Sequence, residues 1–118
     1  MEIKGFDHIH FFVTDINKAI EFYQGIGFEL VRKFIHGGRE SAQMKVGEII
    51  VDLNLTKATD NPGYSHFSLK VDDLDEAANS LRERGWYFDG PLDVAETRRR
   101  IITLRDPNGF LVQLVGSR

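Results

Sequence analysis

His8 and His66 each stand in a short run of β-branched and aromatic residues, and sliding the chain over itself by 58 places lays one on the other. Asp52 and Gln113 make a second matched pair, at an offset of 61, with Asp52 between Val51 and Leu53 and Gln113 between Val112 and Leu114. Successive side chains of a strand point to opposite faces, so these polar groups are set apart from the apolar neighbours that must meet a core. Two imidazoles, a carboxylate and an amide oxygen are a donor set suited to a divalent cation, with coordination positions left for water or substrate. For any one of the four alone a plainer role stays open: a strand histidine can be a hydrogen-bonded structural residue, and Asp52 or Gln113 could cap a turn.

His10 lies two residues from His8 and so shares its face, and Ser68 is its repeat equivalent. Imidazole titrates near neutrality, so His10 could move a proton or hydrogen-bond a substrate, or equally bond to a neighbouring strand. With Asp52 it forms the candidate catalytic pair, and Ser68 is a candidate substrate contact. The densest basic run is Arg98-Arg99-Arg100. On a strand Arg98 and Arg100 share a face and could hold a carboxylate or phosphate by bidentate hydrogen bonds. The alternative is a solvated edge that blocks unwanted strand pairing, neutralised by Asp93 and Glu96.

The repeat specifies the elements that must position these groups. At the offset of 58, Val13 superposes on Val71, Asp15 on Asp73, Ala19 on Ala77, Gly27 on Gly85 and Phe28 on Trp86 without a gap. Phe6–Val13 and Tyr64–Val71 have strand composition. Asp15 is an N-cap for a helix over Ile16–Gln24, where Ile16, Ala19, Ile20 and Tyr23 form one apolar face. Asp73 and Glu76 have capping-box spacing before Leu74, Ala77, Ala78 and Leu81, and the helices stop at Gly25 to Gly27 and at Gly85. Three more strands follow in each half: Glu29–Ile35, Glu40–Val46 and Ile49–Leu55, then Tyr87–Phe88, Arg98–Leu104 and Leu111–Val115. Asp106-Pro107-Asn108-Gly109 is the turn before the last strand. The pattern is βαβββ twice in one α+β domain spanning 1–118, with module one at 1–57, a linker at 58–63 and module two at 64–118.

A length of 118 residues with 42% hydrophobic and 28% charged residues suits one domain with its own core, and disorder is expected only at Gly116, Ser117 and Arg118. The formal net charge of -3 argues against nucleic acid as a partner. Cysteine is absent, so disulfides and thiolate metal sites are excluded and any metal takes nitrogen or oxygen ligands, which suits a reducing cytoplasm. No leader-like start and no apolar run of spanning length is present, so neither secretion nor a membrane is expected.

Four segments carry a resemblance across nearly the whole chain: Asp7-His8-Ile9, Asp15 through Phe22-Tyr23, His66 through Asp73, and Asp106-Pro107-Asn108-Gly109 running on to Gln113-Leu114. With them the sequence resembles the vicinal oxygen chelate superfamily: glyoxalase I, methylmalonyl-CoA epimerase, extradiol dioxygenases, fosfomycin-resistance thiol transferases and bleomycin-resistance binding proteins. The resemblance implies paired βαβββ modules forming a cupped sheet, commonly in a homodimer. It implies a divalent ion such as nickel, zinc, manganese or iron on His8, Asp52, His66 and Gln113, and a small oxygenated metabolite as substrate for lyase, isomerase or related chemistry. Metal-dependent members place Glu where Gln113 stands; an amide can coordinate through oxygen but cannot take a proton. A metal-free sequestering protein of the bleomycin-resistance kind is therefore the alternative, and an extradiol-dioxygenase-like set of His8, His66 and Asp52 is a third.

Overall fold

The computed structural model describes residues 1–57 and 61–117. Its elements run β1 (Ile3–Val13), α1 (Ile16–Gly25), β2 (Glu29–His36), β3 (Arg39–Val46), β4 (Ile49–Leu55), β5 (Gly63–Val71), α2 (Leu74–Glu83), β6 (Asp89–Val94), β7 (Arg99–Arg105) and β8 (Leu111–Ser117), with a 3-10 turn at Ala95–Thr97. The expected βαβββ order is present twice in an α+β fold. Strands lie in the order β2-β3-β4-β1 in the first module and β6-β7-β8-β5 in the second. In each, the opening strand runs parallel to the closing one, β1 with β4 and β5 with β8, and the remaining pairs are antiparallel.

The same local chemistry shapes both helices. Asp15 accepts the backbone N–H of Lys18 and Asp73 that of Glu76, each at 3.0 Å, satisfying one of the amides left over at a helix start. At the other end Phe28 N–H donates to Tyr23 C=O and Trp86 N–H to Leu81 C=O, five residues back. Gly27 and Gly85 take positive φ to allow that closure. Each helix then covers one face of its own strands. Ile16 and Ile20 pack with Ala42, Met44, Val51 and Leu53, against which Ile9, Phe11 and Val13 also lie, as the alternation in β1 requires. In the second module Leu74, Ala77, Ala78 and Leu81 pack with Val71, Ile102 and Leu114.

The chain forms two compact units, His8–Ser65 and Met1–Asp7 together with the chain from His66 onward. The first seven residues thus group with the second module rather than with the rest of β1. Within that unit Arg99 Nε meets Asp7 Oδ2 at 2.7 Å, with both side chains nearly enclosed.

Three local expectations differ from what is observed. The strand expected at Tyr87–Phe88 lies at Asp89–Val94, because Phe88 turns into the α2 core while the following Asp-Gly-Pro segment forms a bulged edge strand, where proline is tolerated. Gly116 and Ser117, expected to be disordered, belong to β8, and a side chain at Gly116 would press on Leu74. Arg98 is not in a strand: it caps the 3-10 turn in a left-handed conformation with φ 54°, and β7 begins at Arg99. Residues 58–60 of the expected linker, and Arg118, lie outside the described residues. No helix among the described residues is long and apolar enough to cross a membrane.

Removing one partner of an enclosed ion pair strands the other charge. Arg99→Ala is therefore expected to lower the urea-unfolding free energy by about 3 kcal/mol, and Arg99→Met combined with Asp7→Leu to recover most of it. A double-variant loss equal to the sum of the separate Arg99→Met and Asp7→Leu losses would show that the pair contributes no coupling.

Candidate functional site: a polar strand face in the first module

Strand register assembles the site. Arg32 lies opposite Gln43, Gln43 opposite Asp52, and Asp52 opposite His10, so one polar row crosses β2, β3, β4 and β1. The adjacent row is Phe34, Ser41, Asn54 and Phe12. Opposed residues in a ladder share a face, and the intervening Ala42, Leu53 and Phe11 supply the apolar face under α1. His8, His10, Ser41, Gln43 and Asp52 are all buried, and this concentration of enclosed polar groups distinguishes the face from an ordinary core.

Asp52, only 6% exposed, is the hub. Gln43 Nε2 donates to its Oδ1 at 3.3 Å, and His8 Nε2 lies 3.8 Å from its Oδ2, too far for a hydrogen bond. Two atoms bound to one ion at about 2.1 Å lie roughly 3–3.5 Å apart, so a small closure would bring this imidazole and carboxylate into joint coordination. His10 meets the Phe12 ring edge to face at 5.0 Å, and its side chain bonds to Asn54. Arg39 lies over the other aromatic contact of this row, 5.1 Å from the Phe12 centroid, with Nη1 donating to Leu55 C=O at 3.2 Å.

Burial lowers the His10 pKa to about 4, against the opposing pull of the Asn54 hydrogen bond and the Asp52 charge; the positive charge of Arg39 and the neighbouring His8 act in the same direction as burial. At neutral pH His10 is thus an uncharged imidazole, able to give and accept hydrogen bonds.

The second module repeats the arrangement without a carboxylate. His66 and Ser68 are buried on β5, and Ser68 Oγ donates to Gln113 Oε1 at 2.9 Å across the parallel pair β5 and β8. Gln113 thus holds its carbonyl oxygen in place, with a second lone pair for another partner. Among the described residues no three His, Asp or Glu side chains are gathered as metal ligands. Each module by itself carries a buried imidazole, with Asp52 as the matched oxygen donor in the first and Gln113 in the second.

The arginine run departs from its expected geometry. Arg98 and Arg100 do not share a strand face, since Arg98 precedes β7; Arg100 reaches Asp75 at 3.1 Å on α2 and Asp93 at 3.6 Å on β6. Asp93 is the neutralising partner anticipated in the alternative reading, whereas Asp75 was not anticipated. Gln43 and Asn54 were missed by the sequence reading, although both carry the signal that marked Asp52: a polar residue at every second position of an apolar strand, as in Ser41-Ala42-Gln43-Met44 and Asp52-Leu53-Asn54-Leu55.

Comparison with known proteins agrees with this architecture. The family model described as the Glyoxalase/Bleomycin resistance protein/Dioxygenase superfamily matches residues 5–114. Metallothiol transferase FosB of Staphylococcus epidermidis is 29% identical, the match covering 97% of this chain and 82% of that protein. The same-named protein of Shouchella clausii is also 29% identical, over 95% and 80%. Methylmalonyl-CoA epimerase from Mycobacterium tuberculosis superposes with a TM-score of 0.85 at 25% identity, covering 98% of this chain and 89% of that one. A Streptomyces coelicolor methylmalonyl-CoA epimerase superposes with a TM-score of 0.83 at 24% identity, covering 98% and 99%.

The depressed His10 pKa has a direct consequence for stability. Between about pH 4 and 6.5 the unfolded chain binds a proton at this imidazole that the folded chain refuses, so the contribution is present above 6.5 and is lost as pH falls toward 4. The loss from this group is expected to be about 3 kcal/mol, and His10→Gln to remove that part of the pH dependence in urea unfolding between pH 7 and 4. An unchanged pH slope in the variant would contradict the assignment.

Proposed function

Because the chain belongs to the Glyoxalase/Bleomycin resistance protein/Dioxygenase superfamily, we propose that it is a divalent-metal-dependent enzyme acting on a small oxygenated metabolite. The observation that carries this reading is the buried pair of His8 and Asp52, an imidazole nitrogen and a carboxylate oxygen 3.8 Å apart on a strand face. In the proposal His8 and Asp52, with their repeat equivalents His66 and Gln113, supply the protein ligands. A bound divalent ion would act as a Lewis acid toward substrate oxygens.

The chain's own residues have separable tasks. Gln43 orients Asp52 through its amide, and Ser68 orients the Gln113 carbonyl in the same way. His10, neutral and bonded to Asn54, is proposed as a hydrogen-bonding group toward substrate. The name of the curated relatives points to thiol transfer and that of the structural relatives to epimerisation; both belong to the lyase, isomerase and related chemistry proposed here. Gln113 cannot serve as a proton acceptor, which leaves Asp52 as the carboxylate of the set. The proposal includes a homodimer working in a reducing cytoplasm, with the assembly open to test by sedimentation equilibrium.

One observation favours a second reading. Asp52 and Gln113 already have hydrogen-bond partners in Gln43 and Ser68, an arrangement that would also serve a metal-free sequestering site. Metal analysis separates the two. Protein dialysed against nickel, zinc, manganese or iron salts without chelator is expected to retain about one ion per chain, and both His8→Ala and His66→Ala to lower retention by at least about tenfold. Gln43→Ala is expected to weaken retention less than either. No retained metal at any supplied concentration would support sequestration instead.

A further inference from the structure

We propose that the second module carries a ligand pocket of its own, built for a flat aromatic molecule bearing one hydrogen-bond donor. The pocket has a volume of about 660 Å³, within the range of small-molecule sites, and draws every wall from residues 86–112. None of its residues is among the proposed metal ligands, so it stands whether or not a metal binds.

The end of α2 shapes one wall. The left-handed Gly85 turns the chain so that Phe88 enters the core while Trp86 and Tyr87 remain 57% and 83% exposed. Both rings border the cavity, Trp86 with the Arg84 guanidinium over its ring, and an offset-stacked or edge-on ring is a favoured partner for such groups. Leu104, Leu111 and Val112, all half-buried, form an apolar lining beneath it. A saturated or strongly hydrated ligand would forgo the ring contact or leave that lining uncovered.

The polar groups of the pocket indicate the hydrogen-bonding group a ligand needs. Tyr87 O–H donates to Asp89 Oδ1 at 2.9 Å, and an ionised carboxylate has room for further donors. Asp106 is engaged by the backbone amides of Asn108 and Phe110, and Arg105 Nη1 donates to Gly109 C=O. Both amides use Asp106 Oδ1, as Tyr87 uses Asp89 Oδ1, so each lining carboxylate can offer its second oxygen to a ligand donor, Asp89 beside its register partner Thr103. The lining carries Asp89, Asp106 and Arg105, with the Arg84 guanidinium 5.6 Å from the Trp86 ring centroid, and the two carboxylates favour a hydroxyl or amine on the ring as hydrogen-bond donor. Register also places the pocket beside the second-module donors, with Leu111 opposite His66 and Thr103 opposite Gln113.

The test uses the full chain, treated with EDTA so that the result is independent of metal binding. Its single tryptophan gives one indole N–H resonance, which reports directly on the pocket wall. Titrated with 2-naphthol, the Trp86 indole and the Thr103 and Leu111 amides are expected to shift saturably together. Decahydro-2-naphthol and naphthalene-2-sulfonate are expected to bind at least about tenfold more weakly, one lacking the ring face and the other the donor. Tyr87→Ala, at an exposed position that leaves the fold intact, is expected to weaken 2-naphthol about fivefold, and Asp89→Ala to narrow its advantage over the sulfonate. Non-saturable shifts, equal binding of the three probes, or an unchanged affinity in a folded Tyr87→Ala variant would overturn the proposal. So would pocket resonances that move with protein concentration alone while sedimentation shows self-association, since a second copy of the chain would then be the occupant.

Discussion

A carboxylate buried in the face of a β-sheet is costly unless its oxygens are occupied, and Asp52 imposes that constraint on the first module. Gln43 donates to one oxygen, and the other faces His8. Those partners come from the two strands flanking β4, so the register of β1 and β3 against β4 cannot slip by a residue without pairing Asp52 with Met44 or Phe11 instead. The same slip would turn Leu53 out from beneath α1. Core packing and site assembly are thus two faces of one register.

The second module meets the same demand with neutral groups. Ser68 and Gln113 satisfy one another on β5 and β8, and His66 stands where His8 stands. The duplicated architecture therefore carries unequal electrostatics, with the only carboxylate among the four matched positions in the first module. Charge in the second module is handled elsewhere, by Asp7 and Arg99, whose pairing ties the start of β1 to the unit that begins again at His66. A neutral donor pair has less desolvation to offset than a carboxylate, and the position opposite Gln113 that matches Gln43 holds the smaller Thr103.

Much of this was legible in the sequence because it depends on periodicity and on local capping chemistry. Alternation in Phe6–Val13 put His8 and His10 opposite Ile9 and Phe11, and Asp15 and Asp73 marked the helix starts as they are found. What failed depends on backbone conformation and on distant partners. Three consecutive arginines read as a strand, but the left-handed Arg98 moved the strand start by one residue and put Arg99 against Asp7. Tyr87-Phe88 looked like a strand from its composition, whereas the edge strand β6 has a Gly-Pro step that composition scores against. Gln43 and Asn54 were readable by the rule that found Asp52, since each alternates with apolar neighbours, but neither is matched by an amide or carboxylate in the sequence repeat.

The distribution of charge constrains the chemistry the family fold can perform here. A divalent ion on two neutral imidazoles, one amide oxygen and the single carboxylate of Asp52 would keep a formal charge of +1, against zero where a second carboxylate replaces Gln113. The proposed centre would then favour a ligand that brings negative charge to oxygen, and a buried face would stabilise that charge more strongly than water does. The amide of Gln113 offers no base in the second module and, in the proposed centre, would strengthen the attraction for an oxyanion relative to a two-carboxylate set. On that proposal, proton abstraction from the Gln113 side would be disfavoured, and substrates that arrive already ionised, or become so by addition of a nucleophile they bring with them, would be favoured.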